Sequence, residues 1–308
     1  MRESIFLVFV RFANLHASAN QRKQLAIWEL FHQGRETLML FAITSRRRFL
    51  EGLTAGAVLA GAAAMLRAEP TQLAARIEQA ESRHPLMPAI QKAFESLQKL
   101  EGVQDYTAEF SKEEKIGRSL VQSRMELKLR ENPYSVYLKF VQPSAGREVL
   151  YVEGRHQNQL LAHDVGIRGL AGTLTLDPAG KMAMDGNRHP CTMIGMRKLA
   201  EGVIEQWLTE TTLSGAVVNT FPNTRSGNVS TTMVEVSYSQ PRPGVKYQMT
   251  RLYLENERGF PIRLQNFEFP EKKERQPGLV EDYQYHNIKI NVGLQDADFD
   301  QRNPKYRF

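Results

Sequence analysis

Met125-Glu126-Leu127-Lys128-Leu129-Arg130 alternates apolar and charged residues with a period of two, and this stretch decides the fold. Glu131-Asn132-Pro133 follows with the composition of a turn, and Val136, Leu138 and Phe140 then resume the alternation. A period of two places every second side chain on one face of a strand. The sequence therefore predicts an antiparallel hairpin that buries one of its faces.

Further strand patterns lie on both sides of this hairpin. Residues 147–153 and 157–162 predict another hairpin, and the turn signal Asn256-Glu257-Arg258-Gly259 joins two later strands. The later strands are predicted at residues 217–221, 231–239, 247–255, 261–269 and 279–290. Residues 164–190 contain five Gly and two Pro, so we expect a long irregular crossing there.

Two segments carry the spacing of amphipathic helices. Residues 71–100 predict a helix that is interrupted near Pro85 and Pro88. Residues 192–208 predict a second helix. One face of that second helix contains Met196, Leu199, Val203 and Trp207.

Nine or ten strands with a terminal and an inserted helix indicate an α+β fold built on a strongly curved antiparallel sheet. We expect a half-open barrel whose concave face is covered by the two helices, and whatever the helices leave unfilled becomes a cavity. The residues predicted to line that cavity are Leu127, Leu138, Phe140, Leu150, Val203, Trp207, Leu252 and Leu254. The alternative for each of them is that it fills an ordinary core.

A signal for export precedes this domain. Ser45-Arg46-Arg47-Arg48-Phe49-Leu50 resembles the motif of twin-arginine signals, with Arg46, Arg47, Phe49 and Leu50 as its determining residues. The apolar run at 53–66 is rich in Ala and Gly and, at about 14 residues, is shorter than the ~20 residues that span a bilayer. The competing interpretation is a buried Ala-rich helix after a basic turn.

The position of this motif gives the expected domain boundaries. We expect translation to begin at Met39, so that residues 1–38 are an extension outside the protein, with the signal peptide at 39–68. Cleavage after Ala64 and cleavage after Ala68 both fit, and 69–308 is then a single β-rich domain. The expected partners during export are the twin-arginine translocase and signal peptidase, and the expected location is extracytoplasmic, more specifically periplasmic.

The net charge of +6 belongs to the leader. Nine of the 40 Lys and Arg residues and four of the 34 Asp and Glu residues lie within the first 68 positions, which leaves 31 basic against 30 acidic residues. A near-neutral domain lacks the positive surface of a nucleic-acid-binding protein, so we expect no nucleic-acid partner.

Candidate catalytic groups do not form a complete motif. His163, Asp164 and His189 lie in the polar central segment, but zinc needs three or four ligands that converge, and adjacent residues on a strand point to opposite faces. Cys191 is the only cysteine, and it follows a His-Pro pair without a third orienting group. A buried structural cysteine is therefore favoured over a nucleophile, and no cofactor is implied.

Three stretches resemble a known protein family. Glu148-Val149-Leu150-Tyr151-Val152-Glu153-Gly154, Leu161-Ala162-His163 and Gly186-Asn187-Arg188-His189-Pro190 resemble the secreted bacterial family of domain of unknown function 1571. The ending Asn303-Pro304-Lys305-Tyr306-Arg307-Phe308 resembles that of periplasmic lipoprotein-carrier-like proteins. That resemblance implies a half-open barrel with a helical lid over an apolar cavity that takes acyl chains, and it supplies no catalytic residue.

The sequence thus favours an exported, non-enzymatic binding protein that carries a lipid, an acylated protein or another apolar ligand. One alternative is a secreted hydrolase or metal-dependent enzyme that uses the His163–His189 loop. Another is a scaffold of the cell envelope.

Overall fold

The computed structural model describes residues 68–270 and 276–308. The export motif at Arg46, Arg47, Phe49 and Leu50 and the expected start at Met39 lie outside the described residues. Within the described ranges, no helix is both long enough and apolar enough to cross a membrane.

Three α-helices occur in the described ranges: α1 (Ala68–Gln79), α2 (Met87–Lys99) and α3 (Met196–Glu210). The predicted break near Pro85 and Pro88 is confirmed, because Pro88 occupies the first turn of α2, where its missing N–H is tolerated. Helix α3 begins later than predicted. Gly195 precedes it with a φ of 130°, a conformation that favours glycine.

Two buried tyrosines hold the start of α3. The Tyr285 hydroxyl accepts a hydrogen bond from the Gly195 N–H at 2.7 Å, and the Tyr106 hydroxyl accepts one from the Met196 N–H at 3.0 Å. The first N–H groups of a helix have no partner within the helix, so these contacts from the sheet satisfy them and fix where α3 begins.

Eleven strands of the described chain form one antiparallel sheet in the order β6-β5-β4-β3-β2-β1-β11-β10-β9-β8-β7. Their bounds are β1 Asp105–Ile116, β2 Ser119–Glu131, β3 Tyr134–Gln142, β4 Glu148–Val152, β5 Leu160–His163, β6 Thr173–Leu176, β7 Ala216–Ser226, β8 Val229–Tyr238, β9 Met249–Glu255, β10 Pro261–Glu268 and β11 Gly278–Ile290. Consecutive hairpins build each half, and β1 pairs with β11 where the halves meet. The predicted antiparallel α+β fold is confirmed.

The predicted irregular crossing at 164–190 is partly wrong. It contains a 3₁₀ helix at Gly166–Ala171 and the edge strand β6, whose Thr173-Leu174-Thr175-Leu176 pairs with β5. Four residues of Thr and Leu between Gly172 and Asp177 are too short to give a periodic signal, but the edge of β5 supplies the hydrogen bonds that they need.

The sheet curves strongly and does not close. Leu174 on β6 and Leu264 on β10 line the same cavity, although seven strand intervals separate them in the sheet order. Seven intervals in a flat sheet would span roughly 34 Å at about 4.8 Å each. The edge strands β6 and β7 have no second neighbour among the described strands, so the barrel stays half open.

The helices cover one face of this sheet. Helix α2 packs against α3 and against β8 and β10, and α3 also contacts β10. Fully buried side chains such as Ile90 of α2, Trp207 of α3 and Leu252 of β9 join in one core. The predicted arrangement of a terminal and an inserted helix over the sheet is confirmed.

A smaller apolar cluster lies on the opposite face of β3, β4 and β5. It contains Tyr137, Leu150, Val152, Leu161 and Phe299, with Leu294, Tyr306 and Phe308 packed against it. The rings of Tyr137 and Tyr306 stack with their centroids 4.0 Å apart. The C-terminal segment therefore covers this part of the outer face.

Candidate binding cavity

A cavity of about 660 Å³ lies between α3 and the curved sheet. Its apolar wall comes from strands of both halves of the sheet and from α3. Apolar residues of this wall include Phe110, Met125, Leu138, Phe140, Val149, Leu160, Leu174, Leu176, Leu199, Val203 and Leu264. A volume of this size is typical of pockets that enclose one small molecule, for which the usual range is about 300–1,000 Å³.

Three of the eight predicted lining residues reach the cavity: Leu138, Phe140 and Val203. Leu127, Trp207 and Leu252 are buried in the main core and do not line it, and Leu254 is partly buried against the same core. For these four residues, the interpretation as ordinary core packing describes their position.

Leu150 lies on the wrong face for the predicted role. Cross-strand pairing sets Leu150 opposite Tyr137 and sets Val149 opposite Leu138, so Val149 lines the cavity and Leu150 joins the outer cluster. Strand β4 is apolar on both faces because the C-terminal segment covers its outer face. The alternation of residues along β4 therefore does not show which of its two faces lines the cavity.

The segment that follows β6 forms another part of the wall. Met182, Cys191 and Met193 line the cavity, and so do His163 and His189. The His163–His189 loop is therefore a wall of the apolar cavity and not a separate site. Burial raises the pKa of the Cys191 thiol to about 12, which keeps it protonated and unreactive near neutral pH.

The candidate metal ligands each have a different partner. His163 Nδ1 lies 3.4 Å from the Thr173 hydroxyl, and Asp164 accepts two hydrogen bonds from Arg147 at 3.0 and 2.7 Å. His189 contacts a carboxylate on β11, described below. Across residues 68–270 and 276–308, no three His, Cys, Asp or Glu side chains group so that they could hold a metal ion.

A polar row crosses the cavity-facing surface of four neighbouring strands. Glu114 on β1 stands opposite Glu281 on β11, which stands opposite Asn266 on β10, which stands opposite Thr250 on β9. Glu114 and Glu281 are only 1% and 2% exposed. Like charges directly opposite each other are destabilising in a sheet, so this pair requires compensation.

Glu281 receives that compensation from four different side chains. Its Oε1 accepts hydrogen bonds from the Tyr247 hydroxyl and Asn266 Nδ2, each at 2.7 Å, and its Oε2 lies 3.0 Å from Arg188 Nε and from His189 Nε2. Burial alone would favour the neutral carboxyl, but the bonds from His189, Asn266 and Tyr247 outweigh it and hold the pKa of Glu281 well below its usual range.

Glu114 is held by Tyr283 and Lys112. The Tyr283 hydroxyl donates to Glu114 at 2.6 Å and lies 3.3 Å from Glu281, so it bridges the two carboxylates. The Lys112 ammonium contacts Glu114 and donates to Asn187 Oδ1 at 2.5 Å. Burial next to the two carboxylates raises the pKa of Tyr283 far above its ordinary value.

This polar row was not predicted from the sequence, although the sequence contains a signal for it. Lys112 and Glu114 have the same parity along β1 as the buried Tyr106, Ala108 and Phe110, so they must face the covered side. Charged residues in phase with an apolar stripe mark either an exposed strand end or a polar site, and the strand pairing decides between them.

Several solved structures are similar to this chain. Lipoprotein LppX of Mycobacterium tuberculosis is 12% identical with a TM-score of 0.41, and the match covers 69% of this chain and 99% of that one. A LolA superfamily protein of Nitrosomonas europaea is 11% identical with a TM-score of 0.29, covering 69% and 96%. The MucA/MucB complex of Pseudomonas aeruginosa gives 15% identity, a TM-score of 0.40 and coverage of 69% and 60%.

No curated protein matches the chain in sequence. The sequence profile of the family described as protein of unknown function (DUF1571) matches residues 103–308, about two thirds of the chain. The match covers all eleven strands and α3, and the family resemblance carried by residues 148–154, 161–163 and 186–190 is confirmed. The chain therefore belongs to the DUF1571 family.

Proposed function

We propose that this protein is a non-enzymatic binding protein that carries an apolar ligand, such as a lipid or an acyl chain, in the cavity under its helices. The cavity itself supports this proposal best. It is about 660 Å³ in volume, and Leu138, Phe140, Val203 and Leu264 from two strands and a helix contribute apolar surface to its wall. Binding draws its free energy from burial of apolar ligand surface, at about 0.8 kcal/mol per methylene group.

The nature of the wall supports a carrier of flexible ligands. Met125, Met182 and Met193 line the cavity, and unbranched thioether side chains adapt to irregular apolar shapes. The only thiol in the wall, Cys191, is kept protonated by burial and so is unsuited to nucleophilic attack.

The proposal includes export. The twin-arginine motif at Arg46, Arg47, Phe49 and Leu50 would bring the folded protein across the cytoplasmic membrane through the twin-arginine translocase. Signal peptidase would then release a β-rich domain of residues 69–308 into the periplasm, where lipids of the envelope are the available apolar ligands. Cleavage that leaves Glu69 as the first residue, measured by N-terminal sequencing of the exported protein, supports this part.

Native mass spectrometry of the protein purified after full-length expression tests the binding proposal. We expect an apolar ligand to co-purify with the wild type and to be absent from Leu138→Asp, which places a charge in the cavity wall. Leu252→Ala is the matched control, because Leu252 is buried but does not line the cavity, and it should retain the ligand. A folded wild-type protein that never yields a bound apolar molecule contradicts the proposal.

A further inference from the structure

The cavity is not uniformly apolar, and its polar cluster has an unusual balance of hydrogen-bonding capacity. We define the polar cluster as Lys112, Glu114, Arg188, His189, Tyr283 and Glu281. Its two carboxylates are balanced by Lys112 and Arg188, so the cluster is neutral when His189 is neutral. Such buried, fully paired charges on a cavity wall are costly to build, and sites of this kind are commonly functional.

The acceptor oxygens of Glu281 are already used. Glu281 has contacts with Tyr247, Asn266, Arg188 and His189, and Tyr283 adds a fifth, whereas a carboxylate offers about four lone-pair positions. Glu281 therefore has no capacity left for a donor on a ligand.

Among the residues that the structure describes, Lys112 has an unused hydrogen-bond donor, and His189 has an unpaired ring nitrogen. Within the described ranges, the Lys112 ammonium donates two hydrogen bonds, to Glu114 and Asn187, and so uses two of its three N–H groups. His189 uses Nε2 toward Glu281, and its Nδ1 has no hydrogen-bond partner in the part of the chain that the structure describes. Both side chains line the cavity. An acceptor oxygen of a ligand fits the remaining N–H of Lys112, whereas a cationic group would be repelled by this ammonium.

From these contacts we infer that the polar cluster binds the carbonyl-bearing end of an acyl chain, with Lys112 as the hydrogen-bond donor and His189 as the second polar contact. The chain itself lies along Phe140, Leu174 and Leu264. This inference rests on the proposed function and narrows its ligand class to acyl compounds, either a free fatty acid or an acyl ester.

A displacement experiment separates these ligands. The protein, produced from the full-length chain, is loaded with the apolar fluorophore 1-N-phenylnaphthylamine and titrated with palmitate, methyl palmitate or hexadecyltrimethylammonium below its micelle concentration. We expect palmitate and methyl palmitate to displace the fluorophore at concentrations at least about tenfold lower than the cationic amphiphile of equal chain length, which corresponds to about 1.4 kcal/mol.

Two variants assign the effect to the polar cluster. His189→Gln keeps an amide donor for Glu281 but removes Nδ1, and Lys112→Met with Glu114→Gln removes a charge pair without changing the net charge. The matched control is Lys128→Met with Asp298→Asn, a pair on the outer face of the sheet. We expect the Lys112 double variant to bind palmitate and methyl palmitate about tenfold more weakly than the wild type. The control variant should bind both ligands as the wild type does.

The outcomes are distinct. If His189→Gln weakens the binding of palmitate alone, the ligand is a free fatty acid. If it weakens the binding of methyl palmitate equally, the ligand is an acyl ester. If the cationic amphiphile competes as well as palmitate, or if neither cluster variant weakens the acyl ligands, the inference about the head group is overturned while the binding function stands. If the fluorophore and all three amphiphiles fail to bind the folded wild type, the binding function itself is overturned.

Discussion

Glu114 and Glu281 are direct cross-strand partners on β1 and β11, and both carboxylates are buried on the wall of one cavity. These two strands join the halves of the sheet, so the pair lies at the centre of the strand order. The Tyr283 hydroxyl contacts both carboxylates, and Lys112, Arg188 and His189 supply the positive or donor groups. An ordinary core gains nothing from such a pair, because apolar residues of similar volume pack there at lower cost.

Loss of the Glu281 charge should destabilise the protein. Glu281→Gln leaves Arg188 and His189 without their carboxylate, and we expect the free energy of unfolding at pH 7 to fall by about 3 kcal/mol, the usual size for breaking a buried pair. Urea denaturation measures this change. Glu205→Gln is the control, because its pair with Arg76 is about half exposed and should contribute less than about 1 kcal/mol. Equal effects of the two substitutions would contradict the assigned role of Glu281.

Acid should remove the same contribution. The pKa of Glu281 in the folded protein lies below the ordinary value of 4.5, so its stabilisation is complete above pH 4.5 and is lost as the pH falls toward the lower folded value. We expect the wild-type free energy of unfolding to decline below pH 4.5 more steeply than that of Glu281→Gln. Parallel curves for the two proteins between pH 3 and pH 7 would show that Glu281 does not carry this dependence.

The two faces of the hairpin β3–β4 should respond differently to truncation. Leu150→Ala removes a buried side chain from the outer cluster, and we expect a loss of 2–5 kcal/mol in stability with no change in affinity for the apolar fluorophore. Leu138→Ala should cost a similar amount and also change that affinity, because Leu138 lines the cavity. Fluorophore titration measures the affinity of both variants. A reduced affinity of Leu150→Ala would show that Leu150 contributes to the cavity.

The C-terminal segment should stabilise the sheet that it covers. Phe299 is 1% exposed in the outer cluster, and the Lys128 ammonium donates a hydrogen bond to Asp298 beside it at 2.6 Å. We expect Phe299→Ala to lower the free energy of unfolding by about 3–5 kcal/mol. Guanidinium denaturation monitored by circular dichroism measures this loss, and a change below about 1 kcal/mol would show that the segment does not stabilise the sheet.

Cys191 should react slowly with thiol reagents in the folded protein. Because burial raises its pKa to about 12, the thiol stays protonated at pH 8, and the thiolate is the reactive form. The chain has one cysteine, so an absorbance assay with an aromatic disulfide reports this residue alone. We expect full reaction within minutes in denaturant and little in its absence, with further slowing by a cavity ligand. Rapid reaction of the folded protein would contradict the burial.

The fold followed from the sequence wherever one face of an element was apolar and the other polar. The alternation at 125–130 predicted β2, and the face formed by Met196, Leu199 and Val203 predicted α3. The short strand β6 was missed, because its four residues form a strand only beside β5. The sequence pattern of a segment does not show which strand will lie beside it in the folded protein, and β6 depends on that neighbour.

The candidate site was harder to predict for the same reason. Leu138, Phe140 and Val203 were identified because their elements are amphipathic, whereas the orientation of Leu150 depended on the C-terminal segment that covers β4. Glu114 and Glu281 are 167 positions apart, and only the pairing of β1 with β11 brings them together. Individual charged residues in strands look like solvent-facing positions until that pairing is known.

Titration of the folded protein with 1-N-phenylnaphthylamine tests whether the cavity binds an apolar ligand, and Val203→Trp is the cavity-filling variant. Val203 lines the cavity from α3, so a larger side chain there should occupy ligand space without adding charge. We expect saturable, enhanced fluorescence for the wild type and at least about tenfold weaker binding of the fluorophore by Val203→Trp. Fluorescence that does not saturate, or equal binding by a folded Val203→Trp protein, would contradict a ligand-binding cavity under the helices.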